Sequence, residues 1–352
     1  MQRRIDIFGL SPGVQMNQPI QDDLGFVIYW SDNHITRFTW KWMEQRLPGI
    51  RDLKFTNFNS QTIWTTKLIK DELPEVKYDK VMNTSDTQGM AKLTNNVRNY
   101  GFCFVTDTPV TPQATKKLLE RIGPIRNTHY GGFYDFQNDL SKADSAYTNA
   151  GLDLHTDTTY FTDPVGIQAF HLLHHTPPPN GPTDRKMMGG ESFLVDGYNV
   201  AHRLRKEHID DFQILKSIGI PWHSSGNLDT AIIPDRVYPI IETQYGAIHR
   251  IRWNNADRGL LPIDINTRKL YNAMRIWDLI SRRTENLYRF YLVPGRVLIF
   301  DNWRILHGRS AFKGSRRICG AYISRDDFMS KWKLTNYSRY DVLAYNLQQI
   351  YY

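Results

Sequence analysis

The sequence predicts a mainly β protein with flanking helices, divided into a small β-rich N-terminal domain (residues 1–80) and a larger β domain (residues 81–352). Three observations lead to this prediction. At 352 residues the chain is long enough for one large core and a smaller appendage. Its apolar fraction of 41% and charged fraction of 23% are typical of a folded globular protein. Short apolar segments separated by turns recur through the second part, which favours a β-sandwich or barrel.

The first 80 residues are predicted to contain a β-hairpin. Residues 25–30 and 34–38 are rich in aromatic and β-branched side chains, and the polar residues 31–33 lie between them as a turn. Residues 70–79 are acidic and include Pro74, which is typical of a connector.

The larger domain is predicted to combine a few helices with short strands. Helices are expected at residues 85–97, at 111–122 with Pro112 near its start, and at 268–287, where apolar residues recur at helical spacing. Strands are expected over residues 100–105, 165–173, 192–196, 248–253, 296–300 and 317–323.

Charge and cysteine content exclude several classes of protein. The net charge is +8, but no Lys/Arg-rich run occurs, so no nucleic acid partner is expected, and a small anionic co-substrate would use a few of these charges equally well. No run of 18 apolar residues exists, so no membrane span is expected.

The two cysteines, Cys103 and Cys319, cannot build a disulfide framework, which favours a reducing compartment. The N-terminus lacks a secretory apolar stretch and has early acidic residues, so we expect a cytoplasmic protein, with the mitochondrion as the alternative.

Three residues are candidates for a metal site. His155 and Asp157 lie two apart, so on an extended segment both side chains project to the same side. His307 follows an apolar strand about 150 residues later. Two histidines and one carboxylate form a facial triad that leaves adjacent positions open, which suits Fe(II) with a chelating co-substrate and O2. The alternatives are a surface turn with an ordinary Asp157 and a zinc site, although zinc would want a third histidine or a catalytic glutamate nearby.

An arginine pair follows the second histidine. Arg316 and Arg317 are neighbours at the start of a predicted strand, so their side chains point to opposite faces and one of them can face the cavity. A planar guanidinium there can bind a carboxylate through two hydrogen bonds. The alternative is a pair of solvated surface arginines.

Several sequence blocks, in this order, resemble the 2-oxoglutarate oxygenases of carnitine synthesis, within the taurine dioxygenase family. The resemblance covers roughly residues 25–335. Its blocks are Asp144-Ser-Ala-Tyr147-Thr148, His155-Thr-Asp157-Thr-Thr-Tyr-Phe, Gly189-Gly-Glu-Ser192-Phe-Leu-Val-Asp-Gly197, Arg252-Trp-Asn-Asn-Ala-Asp-Arg258, Asp301-Asn-Trp-Arg-Ile-Leu-His307-Gly-Arg309, Cys319-Gly-Ala-Tyr322 and Ser324-Arg-Asp-Asp327.

The resemblance implies a double-stranded β-helix, or jelly roll, as the catalytic domain. It implies hydroxylation coupled to decarboxylation of 2-oxoglutarate, with Fe(II), O2 and ascorbate, and it suggests a homodimer. His155, Asp157 and His307 match the iron ligands, and Arg316 matches the arginine that binds the distal carboxylate of 2-oxoglutarate. Ser192 matches, more weakly, a hydroxyl near this co-substrate.

The resemblance also implies a site for a trimethylammonium group. A quaternary ammonium has no hydrogen to donate, so it is best held by the faces of aromatic rings. The matching positions are all tyrosines: Tyr130, Tyr134, Tyr147 and Tyr322. At the position of Tyr134 the family usually carries Trp. The alternative is that these tyrosines only pack in the core.

Asp144 favours one substrate within the family. Members that hydroxylate γ-butyrobetaine have a neutral Asn at this position, whereas members that hydroxylate N6,N6,N6-trimethyllysine have Asp. An acid suits a substrate with an additional α-ammonium group. We therefore expect hydroxylation of trimethyllysine at C3, the first step of carnitine biosynthesis. The alternatives are γ-butyrobetaine, a sulfonate or another small acid, and a catalytically inactive binding module.

Overall fold

The computed structural model describes residues 7–40, 43, 61–137, 148–226, 229–244, 246–339, 341 and 342. These residues form two compact units: the smaller contains residues 7–40, 43, 341 and 342, and the larger runs from residue 61 to residue 339. Residues 61–80 belong to the larger unit because the strand Glu75–Lys77 is part of its main sheet. The two compact units are separated at residue 60. The boundary predicted at residue 80, between two domains, stays a proposal. The described residues include no helix long and apolar enough to span a bilayer.

The smaller unit contains a three-stranded antiparallel sheet. Its strands are β1 (Ile20–Asp22), β2 (Gly25–Tyr29) and β3 (Ile35–Thr39), and β2 pairs with both neighbours. The predicted hairpin is confirmed as β2 and β3, and Asn33 in its turn has φ +69°, a conformation that asparagine tolerates better than most residues.

The larger unit is built on two sheets. The strands are β4 (Glu75–Lys77), β5 (Phe102–Thr106), β6 (Tyr134–Gln137), β7 (Leu152–His155), β8 (Ile167–Thr176), β9 (Glu191–Asp196), β12 (Tyr288–Tyr291), β13 (Val297–Asp301), β14 (Ile305–Arg309) and β15 (Ser315–Ile323). The smaller sheet has the order β12-β9-β14-β7 and the larger has the order β4-β5-β13-β8-β15-β6. Only the β4–β5 pair among these is parallel. A separate hairpin joins β10 (Ile241–Gln244) and β11 (Ala247–Ile251).

The two sheets face each other across an apolar layer. Phe102, Phe104 and Phe300 of the larger sheet form one buried cluster with Leu194 and Phe290 of the smaller sheet. From β7 to β9 and again from β13 to β15, the chain alternates between the two sheets. This alternation is the double-stranded β-helix, so the predicted fold class is confirmed.

Helices cover the outside of the sheets. They are α1 (Thr66–Asp71), α2 (Tyr78–Met82), α3 (Gln88–Tyr100), α4 (Pro112–Ile122), α5 (Arg185–Met188), α6 (Gly197–Glu207), α7 (Ile209–Ser217), α8 (Thr267–Ser281) and α9 (Arg325–Asn336). The predicted helix over residues 268–287 ends earlier, at Ser281, because Tyr288 already belongs to β12 and the chain needs a short turn before it. The helix predicted from residue 85 begins at Gln88, after an Asx-type turn in which the Gln88 backbone donates to Asp86.

Candidate metal centre and active site

Strand pairing brings the three candidate metal ligands together. His155 at the end of β7 lies directly opposite His307 in the middle of β14. Asp157 follows two residues after His155, where β7 has ended. One potential ligand atom from each of the three residues lies within 4.8 Å of the other two. The imidazole rings are 4.2 Å apart between centroids.

A glycine allows the two strands to approach this closely. A Cβ atom on Gly308 would lie 2.8 Å from the backbone oxygen of Leu152 and 3.2 Å from that of Asp153. Any side chain at this position would therefore push β7 away from β14 and separate the two histidines.

Asp157 is fixed through its backbone and its side chain. Its backbone N–H donates to Oδ1 of Asn302 at 2.8 Å, and its carbonyl accepts from Nδ2 of Asn302 at 3.0 Å. Oδ2 of its carboxylate accepts from Nε2 of Gln168 at 2.6 Å and from the Tyr322 hydroxyl at 2.8 Å. Oδ1 instead lies 3.1 Å from Nε2 of His155 and 3.6 Å from Nε2 of His307.

Two of the three candidate ligands are in the protonation state that a metal requires, and the third would have to release a proton. Burial opposes ionisation of Asp157, but the hydrogen bond and the charge of His155, with the hydrogen bond from Tyr322, outweigh it and hold the pKa of Asp157 well below its usual range. Burial lowers the pKa of His307 to about 3, so this imidazole is neutral near pH 7. Burial also opposes protonation of His155, yet the hydrogen bond and charge of Asp157 outweigh it and raise the pKa. A cation between the three groups would compete with that proton.

The donor set fits Fe(II). The Nδ1 atom of His155 lies 2.7 Å from the backbone oxygen of Asp153, which accepts the proton that Nδ1 carries. Nε2, which faces Asp157 and His307, would then offer its lone pair to a metal that displaces its proton. Two imidazoles and a single carboxylate oxygen give the facial triad, in which three adjacent positions remain for other ligands. Among the described residues, His155, Asp157 and His307 form the group of side chains whose ligand atoms lie close enough together to hold a metal ion.

The triad opens into a cavity of about 650 Å³ between the sheets. Its wall is a mixture of aromatic rings and a few polar groups, which is usual for a small-molecule site. The candidate residues that line it are His155, Asp157, His307, Arg316, Ser192, Tyr130, Tyr134 and Tyr322.

Arg316 supplies a buried positive charge to this cavity. Its side chain is 4% exposed, whereas the neighbouring Arg317 points to the other face and pairs with Asp135 at 2.8 and 2.7 Å. Burial, together with the charges of Arg309 and Arg185, lowers the pKa of Arg316 to about 9. The guanidinium is therefore charged at pH 7 in a poorly solvated position, as expected of a group that binds an anion.

The tyrosines are placed by different contacts. Tyr134 lies edge-on to Tyr322 with 5.6 Å between ring centroids, and its hydroxyl donates to the backbone of Ala169. The Tyr130 hydroxyl is 3.2 Å from that of Tyr160. Three of the four predicted ring faces thus line one cavity. Asp144 and Tyr147 lie outside the described residues.

The segment after Asp157 is held by two residues for which no role in the site was predicted, Arg252 and Glu242. Arg252 is fully buried and donates to the carbonyls of Thr159, Phe161 and Thr162, while Glu242 accepts from its Nε at 3.1 Å. These contacts keep one wall of the cavity in place.

Comparison with known proteins identifies the family. The model of the taurine catabolism dioxygenase TauD, TfdA family matches residues 61–322, about three quarters of the chain. The chain therefore belongs to this family of iron- and 2-oxoglutarate-dependent dioxygenases. A crystal structure of a protein from Burkholderia xenovorans has the same fold, with a TM-score of 0.52, 12% identity and coverage of 71% of this chain and 87% of that one.

Relatives named trimethyllysine dioxygenase are more similar to this chain than a relative named γ-butyrobetaine dioxygenase is. A trimethyllysine dioxygenase of Neurospora crassa is 43% identical, over 97% of this chain and 78% of the relative. A relative from Mus musculus named trimethyllysine dioxygenase, mitochondrial, is 33% identical, over 95% and 77%. A human γ-butyrobetaine dioxygenase is 27% identical, over 94% and 85%. The resemblance predicted from the sequence is confirmed.

Proposed function

We propose that this protein hydroxylates N6,N6,N6-trimethyllysine at C3, with Fe(II) held by His155, Asp157 and His307. The observation that carries the proposal is this triad at an aromatic-lined cavity, in a chain 43% identical to a trimethyllysine dioxygenase. When bound there, iron together with 2-oxoglutarate and O2 would supply the oxidant for a C–H bond.

The residues that line the cavity would bind the co-substrate at one end and the substrate at the other. Arg316 would bind the distal carboxylate of 2-oxoglutarate, with Ser192, 8% exposed, as a nearby hydroxyl. The rings of Tyr130, Tyr134 and Tyr322 would hold the trimethylammonium group, at about 0.5–2 kcal/mol per ring face. Tyr147 and Asp144 stay proposed as a further ring and as the partner of the α-ammonium group.

Product analysis tests the substrate. The protein would be incubated with Fe(II), ascorbate, 2-oxoglutarate and either trimethyllysine or γ-butyrobetaine, and the products followed by mass spectrometry and NMR. We expect one added oxygen on trimethyllysine, located at C3, with one succinate formed per hydroxylation. Faster turnover of γ-butyrobetaine would replace the proposed substrate with the alternative. His155→Ala is the inactive control.

Three finer points are part of the same proposal. Ascorbate would sustain turnover by keeping iron reduced, which its omission from the assay tests. A homodimer would be seen as twice the mass of 41.2 kDa in light scattering. We propose a cytoplasmic location with the mitochondrion, named for the mouse relative, as the alternative; fluorescence imaging of the tagged chain distinguishes the two.

A further inference from the structure

We propose that Gln168 and Tyr322 are positioning residues that reserve one oxygen of Asp157, so that the carboxylate offers a metal its other oxygen alone. Both side chains donate to Oδ2, at 2.6 Å and 2.8 Å. Oδ1 is the oxygen that faces the two histidines. The inference rests on the proposed iron site and does not depend on the identity of the substrate.

The register of the larger sheet produces this pair of donors. Gln168 on β8 and Tyr322 on β15 are direct cross-strand partners. Side chains of directly opposed residues lie on the same face of a sheet, so both reach the same point above it. Asp157 arrives at that point from the other sheet's β7, with its backbone fixed by Asn302.

Chemistry determines which atoms donate. An ionised carboxylate accepts hydrogen bonds and cannot donate them, so the amide of Gln168 must present Nε2, and the Tyr322 phenol must present its proton. Gln168 is 1% exposed and Tyr322 is 5% exposed. Because both donors are buried, the two bonds are stronger than they would be at the surface.

The consequence concerns the coordination number. A free carboxylate binds metals through one oxygen or two. If Asp157 bound through two, it would occupy one of the three positions that the facial triad otherwise leaves open. The two donors to Oδ2 therefore preserve the room that a chelating co-substrate and O2 both need.

Titration with Co(II), which replaces Fe(II) without oxidation, tests this inference without turnover. We would measure the dissociation constant by calorimetry and the visible spectrum, whose intensity reports coordination number, for Tyr322→Phe, Gln168→Met and the double variant. Loss of an outer hydrogen-bond partner usually weakens metal binding about 10- to 100-fold. We expect about 10-fold for each single variant, about 100-fold for the double variant, and a changed spectrum in the double variant.

Tyr198→Phe is the matched control. It also removes a buried tyrosine hydroxyl, which donates to the backbone of His249 at 2.6 Å, but Tyr198 does not line the cavity. Its Co(II) affinity and spectrum should equal those of the unchanged protein.

The outcomes separate this inference from the proposed function. A double variant with the affinity and spectrum of Tyr198→Phe would overturn the inference and leave the iron site standing. Absence of Co(II) binding in the unchanged protein would overturn both. If circular dichroism shows that the double variant does not fold, the single variants decide, and affinities equal to the control's would refute the role of either residue.

Discussion

Replacing Arg316 with methionine should strongly weaken 2-oxoglutarate binding and, at the same time, stabilise the fold. The guanidinium is charged at pH 7 in both the folded and the unfolded protein. In the folded protein it lies in the cavity wall, 4% exposed, with Arg309 and Arg185 adding repulsion. The free protein therefore carries an unfavourable charge that a bound anion would compensate.

The structure gives the size of both effects. The fall of the Arg316 pKa from 12.5 to about 9 corresponds to about 5 kcal/mol of unfavourable free energy for the charged, folded form. Removing the charge relieves this free energy, but methionine is smaller and repacks imperfectly, so only part of it is recovered. We therefore expect the free energy of unfolding at pH 7 to rise by about 1–4 kcal/mol. Two lost charge-assisted hydrogen bonds, at about 1.5–3 kcal/mol each, should weaken 2-oxoglutarate binding by at least about 100-fold.

Denaturant unfolding and calorimetric titration of 2-oxoglutarate, with Co(II) present, measure the two quantities. Arg317→Met is the control, since Arg317 points outward to Asp135, with 40% of its side chain exposed, and should change both by less than about 1 kcal/mol. The reasoning is wrong if Arg316→Met binds 2-oxoglutarate as the unchanged protein does. It is also wrong if this variant is less stable than Arg317→Met.

Three further predictions concern the metal, the substrate and pH. Asp157→Asn should lose Co(II) affinity by at least 10-fold in calorimetry, and unchanged affinity would contradict the assigned ligands. Tyr134→Leu should raise KM for trimethyllysine about 2- to 30-fold, equivalent to about 0.5–2 kcal/mol. Tyr134→Phe keeps the ring and should nearly preserve KM. An equal rise of KM in the two variants would contradict a ring-face role. Burial lowers the pKa of His171, which is 0% exposed, to about 4. Since the unfolded imidazole takes up a proton near pH 6.5, the free energy of unfolding should fall by about 3 kcal/mol as the pH drops from 6.5 to 4. Urea unfolding at several pH values checks this, and an equal slope in His171→Asn would refute it.

Alternation along strands is why part of the site was predictable. The two-residue spacing of His155 and Asp157 places both on one side, and the structure brings them to His307. The same period of two predicted that Arg316 and Arg317 would face opposite ways, as they do. Such inferences need only the local geometry of an extended chain.

Contacts between distant segments were not predictable in the same way. Gln168 and Tyr322 meet through a register between β8 and β15, and no local pattern in either strand indicates which residues become partners. Tyr322 was expected as a ring face only, yet its hydroxyl also binds Asp157. Arg252 was noted in a motif, but its hold on the segment after Asp157 depends on three backbone carbonyls, which carry no signal in the sequence.

The glycine after His307 has a consequence for how this enzyme could be altered. Because Gly308 lets β7 and β14 lie close together, the spacing of the two histidines depends on backbone contact and tolerates no added atom at that position. Two of the cavity tyrosines have no such dependence, since Tyr130 lies in a connecting segment and Tyr134 on the edge strand β6. Tyr322 differs, because its hydroxyl donates to Asp157. Selection for a new amine substrate can therefore change Tyr130 and Tyr134, while Tyr322 and the contact between β7 and β14 stay fixed and keep the oxidising chemistry intact.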